Sequence, residues 1–151
     1  MYINAVSIYR LSRRARNSHL GWLSRVFDAL NLVLFSAVIP ASALIGEETI
    51  CEHRGIGVVI HPEAEIGEHC RILPHVVVGG REGLRGAPKI GRYVLLGTGC
   101  KVLGPISVGD GAKIGANAVV LRSVIPGDRV GGVPSSSLKR SGGPELQAGG
   151  A

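Results

Sequence analysis

One aliphatic residue returns every six positions through most of this chain, and few folds accommodate such a beat. From Ile60 it runs through Ile66, Ile72 and Val78, then through Ile90, Leu96, Val102, Val108, Ile114 and Val120. Glycine directly follows six of these rungs, as Gly67, Gly79, Gly91, Gly97, Gly109 and Gly115. Four residues after most rungs stands something small or apolar: Ala64, Cys70, Val76, Val94, Cys100, Ala112 and Ala118. A strand alternates with period two and a helix repeats near 3.6 residues. A strict six fits neither as one continuous element. It fits short strands joined by turns, stacked so that each rung buries against its neighbours. The glycines read as corner residues, where the backbone must be permissive.

A chain of 151 residues is long enough for one domain with a substantial core. Aromatic residues make up only 4% of it, so Ile, Val, Leu and Ala must fill that core. The net charge of +6 favours anionic partners through long-range attraction. Scarce aromatics and the lack of a basic recognition motif argue against nucleic acid. Cys51, Cys70 and Cys100 fall on rung or small-residue positions and read as reduced packing residues. That usage fits a reducing, cytoplasmic location. The first 20 residues carry four arginines and no long apolar stretch, which is unlike a signal peptide. The most apolar run, residues 32–39, is too short to span a bilayer.

Three stretches follow from the pattern: a helical segment at 1–37, a repeat domain at 38–139 and a disordered tail at 140–151. Residues 2 to about 36 read as two helices punctuated by Asn17-Ser18-His19, with Ser18 as a cap. The second carries Trp22, Leu23, Val26, Phe27, Leu30, Val33 and Leu34 at three-to-four spacing. That face is expected to close the open end of the stack or to lie on a partner subunit, with membrane-surface contact as the alternative. The repeat enters at Ile39 and Ile45 and is expected to end near Ile125-Pro126-Gly127. It breaks twice. Three residues are inserted between Cys51 and Ile60, and residues 79–89 are too rich in glycine and charge for a core rung, so they read as an extruded loop.

The six-residue motif resembles that of the hexapeptide-repeat acyltransferases. The order of pieces resembles the serine O-acetyltransferases among them: IPASALIG at 39–46, EHRGIG at 52–57, VVIHPEAEIG at 58–67, HVVVGG at 75–80 and a loop ending APKIG at 87–91. LLGTGCKVLGPISVGDGAKIGANAVVL at 95–121 and GGVP at 131–134 complete the series. The resemblance covers residues 39 to about 139. It implies a mainly β fold, a left-handed parallel β-helix of hexapeptide repeats behind a short helical segment. It also implies a homotrimer whose neighbouring subunits complete each active site, and acetyl-CoA as a donor substrate with no permanently bound cofactor.

Moving acetyl from a thioester to a hydroxyl needs a base for the alcohol proton, and histidine titrates where that work is done at neutral pH. By resemblance the general base is His53, beside the first break, and Glu52 contacts the acceptor. Stacking Cys51 on Ile72 in adjacent coils would put His75 on the same ridge as His53, to orient it or touch the acceptor. The resemblance places the pantetheine arm near Gly97, Thr98, Gly115 and Ala116, with Arg122, Lys139 and Arg140 toward the nucleotide phosphates. His61 and His69 read as turn and surface residues. The histidines at 53, 61, 69 and 75 do not form a converging set, so no metal is expected.

The chain departs from the family at two places. The Asp that usually orients the histidine is Val38, and the second active-site histidine is Ala87. The Arg usually before it is Gly86, with Arg81 and Arg85 near. Three readings stand at this point: acetyl transfer to L-serine or another small hydroxyl compound, acetyl transfer to a sugar of surface polysaccharide, and a non-catalytic scaffold.

Overall fold

In the computed structural model, residues 3–18 and 20–137 are described. Two helices, α1 (Ala5–Asn17) and α2 (Gly21–Phe35), precede strands β1 to β14. The strands wind over three faces. The first face holds β1 (Leu44–Ile45), β4 (Glu65–Ile66), β7 (Lys89–Ile90) and β10 (Ser107–Val108). The second holds β2 (Ile50–Cys51), β5 (Arg71–Ile72), β8 (Leu95–Leu96), β11 (Lys113–Ile114), β13 (Arg129–Gly131) and β14 (Ser136–Ser137). The third holds β3 (Val59–Ile60), β6 (Val77–Gly79), β9 (Lys101–Leu103) and β12 (Val119–Val120). The ladders are parallel except where β14 turns back on β13. This is the left-handed parallel β-helix.

Register explains the six-residue beat. Rung pairs with rung on every face: Ile66 with Ile90, Ile72 with Leu96, Val78 with Val102. These side chains point inward and are almost wholly buried, as are Ala64, Cys70, Val76, Val94, Cys100, Ala112 and Ala118 between them. Each fully buried Ile, Leu or Val contributes about 1.5–3 kcal/mol against leaving it in water. Burial pushes the Cys51 and Cys100 thiols up to about 12 and raises that of Cys70, so all three stay protonated packing residues.

The glycines correct the expectation from sequence. Gly67 and Gly97 do not have positive φ. A Cβ on Gly67 would stand 2.6 Å from the Gly91 carbonyl oxygen, and one on Gly97 would stand 2.6 Å from that of Ile114. Close approach of the next coil demands glycine there. The left-handed positions lie elsewhere: Glu48, His69 and Tyr93 hold them at one corner, followed by Gly111 and Gly127.

The repeat also runs further than its pattern suggests. Val130 pairs with Ile114 and is buried, so the last coil closes beyond residue 127. Residues 138–151, which include Lys139, Arg140 and the expected tail, lie outside the described residues. His19 does as well.

The open end of the stack is closed by α1. The Tyr9 hydroxyl donates to the Ala43 carbonyl at 2.7 Å, and Arg13 donates to the carbonyls of Ala41 and Ala43. Arg10 donates to that of Thr49. First-coil carbonyls thereby gain partners that no preceding coil can supply. The sequence offered the second helix either this role or contact with a partner subunit; its apolar face looks outward, so it does not close the stack. Ser18 caps the end of α1, donating to Ala15, and does not cap the start of α2.

Candidate active site

The first break in the repeat forms a short 3-10 turn, Glu52–Gly55, at the corner between the second and third faces. Ile45 pairs with Ile66 but Ile90 with Val108, so this coil is three residues longer than a regular one. The surplus leaves the stack. His53 (φ 49°), Arg54 (φ 64°) and Gly55 (φ 78°) are left-handed in succession, and the His53 side chain is exposed. A non-glycine residue in this region costs free energy that surrounding structure must offset. Here α1 does so: a Cβ on Gly55 would meet that of Ala5 at 2.8 Å. The helix that closes the stack also seats the turn carrying His53.

Glu52 is half-buried and paired. The Arg71 guanidinium Nε donates to its Oε1 at 2.6 Å. Arg71 lies on β5 in register with Ile50, which puts its side chain one coil below the carboxylate. Sequence reasoning missed this residue. Its signal was present: an outward position directly before rung Ile72, stacked near Glu52.

His75 reaches the same corner one coil on, with φ 59° and its N–H donating to the Ile56 carbonyl at 2.8 Å. Its imidazole fills the space that a side chain on Gly57 would need, so it packs against the end of the bulge. Below it, Gly99 N–H donates to the Pro74 carbonyl, and Asn117 N–H to that of Thr98. The ridge therefore carries, coil by coil, Glu52 and His53, then His75, then Gly97 and Thr98, then Gly115 and Ala116. Arg122 is not on it. It stands across the third face at the next corner, where Arg81, Leu121, Arg122, Pro134 and Ser135 line a cavity of about 310 Å³.

The extruded loop projects from that other corner. Residues 81–86 are exposed and closed by an Arg81–Leu84 bridge. A wide cavity of about 500 Å³ lies between the loop and His61, lined by Glu63, Arg81, Glu82 and Arg85 among others. His61 Nδ1 accepts from the Glu63 N–H at 3.1 Å, a turn role. His69 stacks on Tyr93 with ring centroids 4.8 Å apart, so its surface position is structured. Val38 pairs with Val59 and is half-exposed, while Ala87 is buried. No three His, Cys, Asp or Glu side chains converge among the described residues.

Residues 87–122 match the family described as bacterial transferase hexapeptide (six repeats). The serine acetyltransferase of Helicobacter pylori strain 26695 is 35% identical over 140 residues, which cover 91% of this chain and 81% of that protein. The chain belongs to the serine acetyltransferase family. The serine acetyltransferase of Mycobacterium tuberculosis is 36% identical over 94% of the chain, which spans 64% of that relative's length. A solved serine acetyltransferase in complex with CoA superposes with a TM-score of 0.80 at 33% identity, over 89% of this chain and 55% of that one. The chain thus spans little more than half of that solved chain.

Proposed function

We propose that this chain is an acetyl-CoA-dependent O-acetyltransferase with His53 as general base. The observation that carries the reading is the left-handed bulge, held on α1, that presents His53 beside Glu52 at the head of a ridge of small residues. His53 takes the proton of the acceptor hydroxyl. The oxygen attacks the thioester carbonyl carbon, the carbon–sulfur bond breaks, and the imidazolium returns the proton to the CoA thiolate. Backbone amides of the ridge are the donors available for the developing oxyanion. Gly97, Thr98, Gly115 and Ala116 flank the pantetheine arm. Arg122, with Lys139 and Arg140 beyond the described residues, serves the nucleotide phosphates. Because Arg122 stands across a face from the ridge, those phosphates are met from a neighbouring subunit, in keeping with a homotrimer.

The acceptor in this reading is L-serine or another small hydroxyl compound, and serine would place the enzyme in cysteine synthesis in the cytoplasm. A specific observation favours a second acceptor class. Val38 and Ala87 remove two polar groups, and Arg71 already neutralises the carboxylate of Glu52. A zwitterionic amino acid needs charged partners, whereas a neutral sugar hydroxyl does not. Thiol release from acetyl-CoA, followed with L-serine and then with a panel of nucleotide sugars and oligosaccharides, distinguishes the two. Turnover with serine alone supports the first acceptor, and turnover with a sugar alone supports the second. No release with any acceptor, together with no CoA binding, sinks the enzymatic reading.

Arg71 supplies a further test. Arg71→Ala frees Glu52 but removes an exposed pair worth at most about 1 kcal/mol. We expect nearly unchanged thermal stability and a several-fold change in the KM for the acceptor, a fall for L-serine, whose ammonium gains a free carboxylate partner, and a rise for a neutral sugar, with the KM for acetyl-CoA unmoved. Unchanged acceptor kinetics would remove Glu52 and Arg71 from the acceptor site.

A further inference from the structure

The left-handed position at the corner between the first and second faces is filled, coil by coil, by Glu48, His69, Tyr93, Gly111 and Gly127. The two glycines take it without strain, whereas His69 (φ 55°) and Tyr93 (φ 57°) carry a backbone cost. Burial does not offset that cost, because His69 is exposed and Tyr93 is 62% exposed. The two rings instead stack, with centroids 4.8 Å apart and planes 4° from parallel. That separation is the spacing of adjacent coils. His69 covers one face of the Tyr93 ring. The other face looks along the corner onto Gly111 and then Gly127, and open space lies where a Cβ on either would stand. The stack therefore ends on a bare aromatic face above a shelf two coils deep.

Charge beside the shelf breaks a rule that the molecule obeys elsewhere. On the first face, Glu65 and Lys89 are in register and ion-paired at 2.8 Å. On the second face, two residues past the shelf glycines, Lys113 is in register with Arg129. Like charges facing each other one strand spacing apart, about 4.8 Å, repel. Both are exposed, and neither is ion-paired among the described residues. The carboxylates at the shelf are already engaged. Asp110 accepts from the Arg92 N–H and guanidinium, and Asp128 from the Arg129 N–H and the Ser137 hydroxyl. Glu47, Glu48 and Glu68 stand at the opposite end of the stack. An anionic group beside the Tyr93 ring is thus drawn toward Lys113 and Arg129.

We propose that this corner binds an acidic saccharide chain, with one sugar ring stacked beneath Tyr93 and a carboxylate of the chain between Lys113 and Arg129. The weakly positive C–H bonds of a pyranose face meet the negative π face of tyrosine. The sugar ring takes the step in the ladder that Gly111 leaves open. Sites for small molecules are concave, whereas a ring on a convex corner with an open shelf suits a chain lying across it. Single-stranded nucleic acid also combines rings with negative charge, but it is held on successive aromatic platforms, and this corner offers one bare ring face. The surface lies on a different corner from His53, so it stands apart from the acetyltransferase reading.

The test is binding of the full chain to polygalacturonate, by affinity electrophoresis and calorimetry, without acetyl-CoA. The wild type is expected to bind polygalacturonate and not neutral dextran. Tyr93→Ala is expected to weaken binding by about tenfold, with unchanged circular dichroism because the ring is exposed. Gly111→Asn keeps the net charge, asparagine tolerates the φ of 69°, and its side chain fills the shelf, so binding should fall comparably. The Lys113→Gln, Arg129→Gln double variant should lose the salt-sensitive part of the affinity. No binding by the wild type overturns the proposal. So does binding that Tyr93→Ala and Gly111→Asn leave intact, because attraction to the net charge of +6 would then explain it. Equal binding of dextran, or single-stranded DNA bound as tightly as polygalacturonate at the same ionic strength, overturns it as well.

Discussion

Replacing His53 with asparagine is expected to lower kcat for acetyl transfer by about 10²–10⁴-fold, the usual contribution of a positioned proton acceptor. Asparagine is the informative substitute because His53 has φ 49°. Asn adopts that left-handed backbone more readily than other residues, so the bulge keeps its shape while the proton acceptor is lost. His53→Ala should show the same loss with some added backbone strain. Both variants should retain CoA binding, measured by calorimetry, because the small residues of the ridge are untouched. The competing expectation is clear. If His53 were only a turn residue, His53→Asn would turn over at close to the wild-type rate, and the base would have to be sought at His75. His75→Ala adds the needed contrast. A side chain that only fills the space over Gly57 should alter stability, whereas one that orients His53 should alter kcat.

Much of this architecture was legible because a rung that recurs every six residues has only one way to bury itself. The ladder pairs Ile72 with Leu96 and Leu96 with Ile114, as that beat requires. The candidate site was legible at the breaks in the beat. The residues inserted after Cys51 become the bulge of His53, and the glycine-rich insertion becomes the exposed loop. What was not legible depended on contacts across coils. Arg71's clasp on Glu52 could be read only by laying one coil over the next, since the pair forms when β5 stacks under β2 and 19 residues separate the partners in the chain. The helices misled for a similar reason. The apolar spacing of α2 suggested the cap or a partner subunit, yet Tyr9, Arg10 and Arg13 supply the donors that first-coil carbonyls require, and an apolar face has none. Periodicity reports which residues avoid water; it does not say which partner removes them from it.

The second large effect tests the corrected account of the glycines. Gly67→Val is expected to destabilise the protein by on the order of 3 kcal/mol, the upper part of the range for forced overpacking. In a chain of this size that lowers Tm by roughly 6–12 °C. The cause is local and rigid. A Cβ at Gly67 would stand 2.6 Å from the Gly91 carbonyl oxygen, 2.7 Å from its carbon and 2.9 Å from the Arg92 nitrogen, all backbone. Gly67 N–H also donates to the Ile90 carbonyl at 2.8 Å, so the coils cannot part without loosening the ladder. Even Gly67→Ala should be costly, and Gly67→Asn no better, because the left-handed region plays no part there. Gly127 is the control. It has φ 70° and open space around a Cβ. Gly127→Asn should therefore cost little, while Gly127→Val should suffer from strain alone. Thermal melts of the five variants separate the two causes. If asparagine were tolerated equally at both positions, the glycine after each rung would be there for conformational freedom, and close approach of coils would not explain the beat.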